Sequence, residues 1–171
     1  MFYTLEKMGE AFTDESKALT LRCAKEERML LIQNIMSEKF APGYEKLSPI
    51  YEEWKAEHGG ESGFWKLYGS LVSAITIRDT PKGNSVGIEK NVMPTRSSSW
   101  GRSQKLTPIW KYAWYGEMSR QGFSKGGLTV NAQPGRPVFR PTAQEYRTVF
   151  LGKQRSAALD RIMGVWNGRA T

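Results

Sequence analysis

Between Thr13 and Phe40 the apolar residues return at three- and four-residue steps or their multiples, and Leu21, Ala24, Leu31 and Ile35 fall on one side of a helix. Met29, Leu30, Ile32 and Met36 widen that stripe, so its C-terminal half is expected to be covered on several sides. No Gly or Pro interrupts the run, Asp14 and Glu15 follow a candidate cap at Thr13, and Pro42-Gly43 supplies the stop. The segment IYEEWKAEH between Ser48-Pro49 and Gly59-Gly60 predicts a short helix with Ile50 and Trp54 inward, since it has a Ser cap, Pro at the first helical position and Gly as terminator.

After the breakers Gly59 to Gly63, the stretch FWKLYGSLVSAITIRD predicts a helical turn running into a strand. SVGIEKNV, residues 85 to 92, alternates as a second strand, and Pro81-Lys82-Gly83-Asn84 carries turn chemistry between the two, so a β-hairpin is expected. Residues 93–107, MPTRSSSWGRSQKLT, lack any period and read as a long exposed loop. Thr107-Pro108 then opens an aromatic helix, PIWKYAWYGEM, followed by the Gly-rich QGFSKGG and a strand at LTVNA. Pro134, Pro137 and Pro141 fix the backbone and deny helix until Thr142, which pairs with Glu145 in a capping-box pattern and opens the last helix. Tyr146, Val149, Phe150, Ala157, Ile162 and Val165 give that helix an apolar side, ending near Gly168.

The order of elements is that of an α+β protein, a small antiparallel β-sheet flanked by a long N-terminal helix, short helices and a C-terminal helix. A length of 171 residues suits one domain, 1–171, with a helical region at 1–60 and an α+β core at 65–165. Apolar residues at 39% and aromatics at 12% are enough for a packed interior. The aromatics are also of the kind that protein interfaces concentrate at their centres, and core or interface equally accounts for them.

Charge divides the chain. Residues 1–59 carry 8 Lys and Arg against 11 Asp and Glu, a net −3, whereas residues 60–171 carry 17 against 6, a net +11. A polyanionic neighbour is implied, either nucleic acid or an acidic protein surface. No apolar run is long enough to span a membrane, and the first residues lack the layout of a signal peptide, so synthesis and retention in cytosol are expected.

Candidate chemistry is sparse. Cys23 is the only cysteine and His58 the only histidine, which leaves no cysteine-based zinc site and no obvious base for a nucleophile. His58 at a helix end suits the helix dipole, and Cys23 mid-helix suits a small apolar filler. Asp14-Glu15, Glu26-Glu27 and Glu52-Glu53 are adjacent in sequence, so on a helix their side chains diverge by about 100° and form no dyad. No GxxxxGK[ST] or GxGxxG phosphate cradle occurs. No catalytic, cofactor-binding or metal-ligating residue is assigned. Arg78, Lys82, Lys90, Arg96, Arg102, Lys105 and Lys111, interleaved with Trp100 and Trp110, suit phosphate backbones or single strands. No helix-turn-helix, RNP-type or zinc-finger pattern accompanies them, and a protein-docking loop is the stronger reading.

The stretch Lys111 to Arg147, KYAWYGEMSRQGFSKGGLTVNAQPGRPVFRPTAQEYR, carries Tyr112-Ala113 with Glu117, a variable segment around Gly122 to Gly127, and the run Gln133-Pro134-Gly135-Arg136-Pro137-Val138-Phe139-Arg140-Pro141. In that order it resembles the tail-completion, or neck, family of long-tailed bacteriophages and the related virion-morphogenesis proteins, whose members show a "YA…E.G" element, a variable loop and a "PARPF..P" turn opening the last helix. Upstream, Gly69 to Ile75 is similar to the family's "G.L..SI" lead into its first strand, and Val86-Gly87-Ile88 to its second. The likeness spans about residues 65 to 165. It departs in lacking Gly after Glu117 and in the length of the 93–107 loop.

The resemblance implies a non-enzymatic virion protein, made in the host cytoplasm, that forms a ring of six or twelve copies in the phage neck. Its implied partners are copies of itself, the portal-adaptor or connector proteins on the head side, and tail tube or tail terminator proteins on the other, with genomic DNA passing through the lumen. A tail terminator or minor tail protein, or a basic nucleic-acid-binding module, is the alternative. The expected contact residues are Arg96, Trp100, Arg102, Lys105 and Trp110 in and after the loop, with Arg136 and Arg140 at the proline corner.

Overall fold

Helix α1, Leu5–Met36, is the backbone of the molecule at 32 residues, and the computed structural model describes it together with residues 37–47, 49–57, 70–93, 108–118, 123–125, 128–130 and 135–166. It starts ahead of the expected Thr13 cap and passes through Gly9 without a break. Thr13 is an interior residue whose hydroxyl donates to the Gly9 carbonyl at 2.8 Å, the back-bond that a helical Thr makes one turn behind itself. The helix also ends earlier than Pro42-Gly43 suggests. Glu38 takes a left-handed φ of 53°, the Lys39 N–H reaches the Asn34 carbonyl at 3.2 Å, and the chain turns with Phe40 packed against the core. That is a Schellman-type stop built without Gly. Pro42-Gly43 lies instead in a short 3₁₀ turn, Ala41–Gly43.

Helix α2, Pro49–Glu57, starts at the expected proline, while its expected end at His58 and the inward placement of Ile50 and Trp54 lie outside what is described. A single turn, α3 (Ser70–Ser73), leads into β1 (Ile75–Thr80), which pairs antiparallel with β2 (Gly83–Ile88). The hairpin is tighter than expected, with Thr80 opposite Gly83 and only Pro81-Lys82 between, and β2 stops at Ile88 rather than Val92. Gly83 makes this possible through its φ of 110°, a conformation open to Gly and strained for other residues. Facing pairs Ile75–Ile88 and Ile77–Val86 put apolar side chains on one side, and α1 lies against both strands.

Helix α4 (Ile109–Glu117) is succeeded by the hairpin of β3 (Phe123–Lys125) and β4 (Leu128–Val130). This second pairing goes beyond the lone strand expected at LTVNA, although two residues, Gly126-Gly127, between short runs are a hairpin signal. The last helical rod comprises α5 (Phe139–Glu145), a π-helical turn (Tyr146–Phe150) and α6 (Leu151–Trp166). It begins three residues before the expected cap at Thr142.

The core gathers Leu31 and Ile35 of α1, Leu71 of α3 and Ala74 just after it, Ile75 of β1, Ile109 and Ala113 of α4, and Val138. Of the stripe expected on α1, Ala24, Leu31 and Ile35 are buried, whereas Leu21 is 39% exposed. On the final rod Tyr146 is buried and Val149 is 50% exposed; Ala158 occupies the buried place against α1. Glu15 meets Arg161, Glu26 meets Gln154 and Asn34 meets Thr142, so α1 and the final rod run antiparallel. The fold is α+β, small antiparallel pairs flanked by a long N-terminal helix, short helices and a C-terminal helix.

A candidate interface at the corner between α4 and α5

Helix α4 is anchored before it is exposed. The Ile109 N–H donates to the Val92 carbonyl at 3.0 Å, which fastens its start to the exit of the first hairpin, and Ile109 and Ala113, four residues apart, sink into the core. The opposite side presents Lys111, Trp114 and Met118 at helical spacing, with Trp114 57% and Met118 37% exposed. Lys111 Nζ lies 5.7 Å from the centroid of the Trp110 ring, within range of a cation–π contact.

The last residue of α4 organises the start of α5. Glu117 accepts three backbone hydrogen bonds there, Oε2 from the N–H groups of Val138 (2.9 Å) and Phe139 (3.1 Å), and Oε1 from Arg140 (2.9 Å). Pro141 has no N–H, and the Thr142 N–H makes the first bond back into the helix, to Val138 O at 3.2 Å. All the otherwise unpaired donors of this helix end are therefore answered, and a carboxylate sits where the helix dipole favours negative charge. The expected capping box is replaced by a cap supplied from another helix. Pro141 does not delay the helix either, because within the first turn a missing N–H leaves nothing unsatisfied.

Thr142 is released for a different task. It is 1% exposed, and its Oγ1 accepts from Asn34 Nδ2 at 3.0 Å; the same amide donates to Glu145 Oε2 at 3.2 Å, and Lys39 donates to Glu145 Oε1. The hydrogen bond from Lys39, opposed by partial burial and helped by Asn34, holds the Glu145 carboxyl below its ordinary range.

A third segment closes the corner. The Tyr44 hydroxyl donates to the Pro137 carbonyl, and Arg136 Nη2 to the Glu45 carbonyl at 3.3 Å. Arg140 is exposed, with Nη2 3.5 Å from Met118 Sδ. Arg136 thus ties the corner to the Glu45 carbonyl. Arg140 instead joins Trp114 and Met118 in an exposed patch that mixes aromatic, thioether and cationic groups.

Of the residues singled out from the sequence, Trp110 is half-buried at the head of α4, Arg136 and Arg140 lie at the corner, and Arg96, Trp100, Arg102 and Lys105 lie outside the described residues, as does His58. Trp114 and Met118 carry no mark of a site in the sequence, because an aromatic helix signals burial and exposure alike. Glu117 stands out there only as part of a motif. Nothing in the sequence marks a carboxylate as the cap of a helix that starts 22 residues later.

Elsewhere, Cys23 is half-buried beside Tyr146, whose phenol donates to Glu26 Oε2 at 3.2 Å. Burial, then Cys23 and Glu26, push the Tyr146 phenol well above its ordinary value. A groove of about 310 Å³ between α1 and α6 is lined by Ala11, Asp14, Glu15, Ala18, Arg161 and Ile162. Its burial disfavours charge on Glu15, yet Arg22 and Arg161 outweigh this and hold the carboxyl low. Among the described residues no three His, Cys, Asp or Glu side chains gather as metal ligands, and no helix is long and apolar enough to cross a membrane. No family model, no characterised protein and no solved structure matches the chain.

Proposed function

We propose that this chain is a non-catalytic structural subunit of the ring that joins the head of a long-tailed phage to its tail. The observation that carries the reading is the Glu117 carboxylate on the backbone of Val138, Phe139 and Arg140. The two stretches that resemble the neck family, one around Tyr112 to Glu117 and the other from Gln133 to Pro141, are far apart in sequence, and this contact makes them one corner. Beside it lies a Trp, Met and Arg patch of the composition favoured at the centres of protein interfaces. The ring would place copies of this chain between portal-adaptor proteins and the tail tube or terminator.

Two experiments test this. Electron microscopy of assembled particles should place the chain's density on the head-tail axis; particles that lack it would overturn the proposal. Deleting residues 95–104 should leave a folded protein that no longer joins heads to tails, and unimpaired joining would remove the loop from the mechanism. If the isolated protein instead binds DNA with an affinity that falls steeply with salt, the nucleic-acid reading takes its place.

A further inference from the structure

A ring of identical subunits needs two different surfaces on each copy, because every contact is made by one face on another. The corner patch is one such surface, cationic and apolar at Arg140, Trp114 and Met118. Its complement lies on α2. Pro49, Glu52, Glu53, Ala56 and Glu57 are all exposed and recur at helical spacing, so α2 offers one face with three carboxylates set among small side chains. Among the described residues, neither Arg140 nor any of those glutamates forms an ion pair within the chain. Among the described residues both charges are left unspent.

We infer that the acidic face of α2 docks on the Trp114–Met118–Arg140 patch of a second copy of this chain. The inference rests on the ring reading and adds the contact that propagates it. Small Ala56 lets an indole ring approach the helix, while Glu53 and Glu57 line one side of it for a guanidinium. Such pairing fixes orientation and rejects the wrong neighbour, since α2 on α2 or patch on patch sets like charges together.

The test uses the full chain with Cys23→Ser, so that introduced cysteines are the sole thiols. One protein carries Met118→Cys and the other Glu53→Cys; they are mixed in equal amounts, oxidised, and scored for mixed disulfide by mass. Mixed dimer should exceed that formed when Glu53→Cys is replaced by Ser16→Cys, an exposed position on α1, by at least roughly tenfold. Adding Arg140→Glu to the first protein should remove that excess, as expected for turning a charge pair into a repulsion, and adding Glu57→Arg to the second should restore it. Mixed dimer equal to the Ser16→Cys control, or indifferent to Arg140→Glu, overturns the docking surface. The wild-type particle micrographs judge the ring reading separately, so a chain located in the neck that fails the disulfide test loses this contact and keeps its place.

Discussion

A single carboxylate with three backbone donors is a concentrated point of dependence, and Glu117 is that point. Glu117→Ala should destabilise the protein by about 1 to 2 kcal/mol, the upper range for loss of a helix cap, which corresponds to roughly 2 to 8 °C in a thermal melt at this size. A melt unchanged by the substitution would mean that water replaces the cap at no cost. Gly83→Ala faces two penalties, since its φ of 110° is unfavourable for Ala and the new Cβ would lie 3.1 Å from Thr20 Cγ2. About 1 to 3 kcal/mol of stability should be lost in denaturant titration. Asn34, only 3% exposed, joins α1 to Thr142 and Glu145, so Asn34→Leu strands two polar groups and should cost about 1 to 3 kcal/mol.

Titration at the same site is governed by the depressed Glu145 carboxyl. A carboxylate favoured by the fold contributes fully above its ordinary value of 4.5 and loses that contribution as pH falls from there through the lower folded value. Acid unfolding should therefore begin below about pH 4.5 in wild type and be less steep in Glu145→Gln, measured by ellipticity. Tyr146 works in the opposite range. Its raised phenol stays neutral in the fold while the unfolded chain ionises near 10.0, so stability should decline as pH rises past that value.

Among elements, the first hairpin and α4 share a simple closure. The hydrogen bond from Ile109 to Val92 holds the two ends of the intervening segment together whatever lies between them. Removing residues 95–104 should then change stability by less than about 1 kcal/mol, because the entropy of closing a loop depends only weakly on its length. A cooperative melt that vanishes on this deletion would place the segment in the fold itself. Several elements are legible from local chemistry alone, as with α2, read from Ser48-Pro49 and the Gly59-Gly60 stop, and the hairpin around Pro81-Lys82. Legibility fails where a partner distant in sequence supplies the missing group. Thr142 with Glu145 has the letters of a capping box, but Glu117 takes the cap and Asn34 takes Thr142. The end of α1 is hidden because Glu38 occupies a position that usually calls for Gly. At the corner, Arg136 and Arg140 are legible as a pair, while their division of labour depends on Glu45 and Met118.

For the whole molecule, the division of the sequence into an acidic first part and a basic remainder acquires a spatial meaning. Acids of α1 meet bases or amides of the final rod, as Glu15 with Arg161 and Glu26 with Gln154, so part of the asymmetry is spent internally. Among the described residues a further part is exposed, acidic on α2 at Glu52, Glu53 and Glu57 and basic at the corner at Arg140. Assembly driven by these surfaces should weaken with added salt, as exposed charges are screened beyond about 8 Å at 0.15 M. Sedimentation at low and high ionic strength provides the measurement, and an assembly indifferent to salt would assign the contact to apolar area alone.

The Glu117 cap also has a mechanical side. Beside the core that Ile109 and Ala113 share with Val138, a pull on α4 reaches α5, and through it α6 and α1, by a carboxylate whose three bonds share the load. Bonds loaded side by side must rupture nearly together, whereas bonds loaded in series open one after another. The two helices should therefore yield to stretching as a single stiff part, and the segment between them can be strained without prising the corner apart.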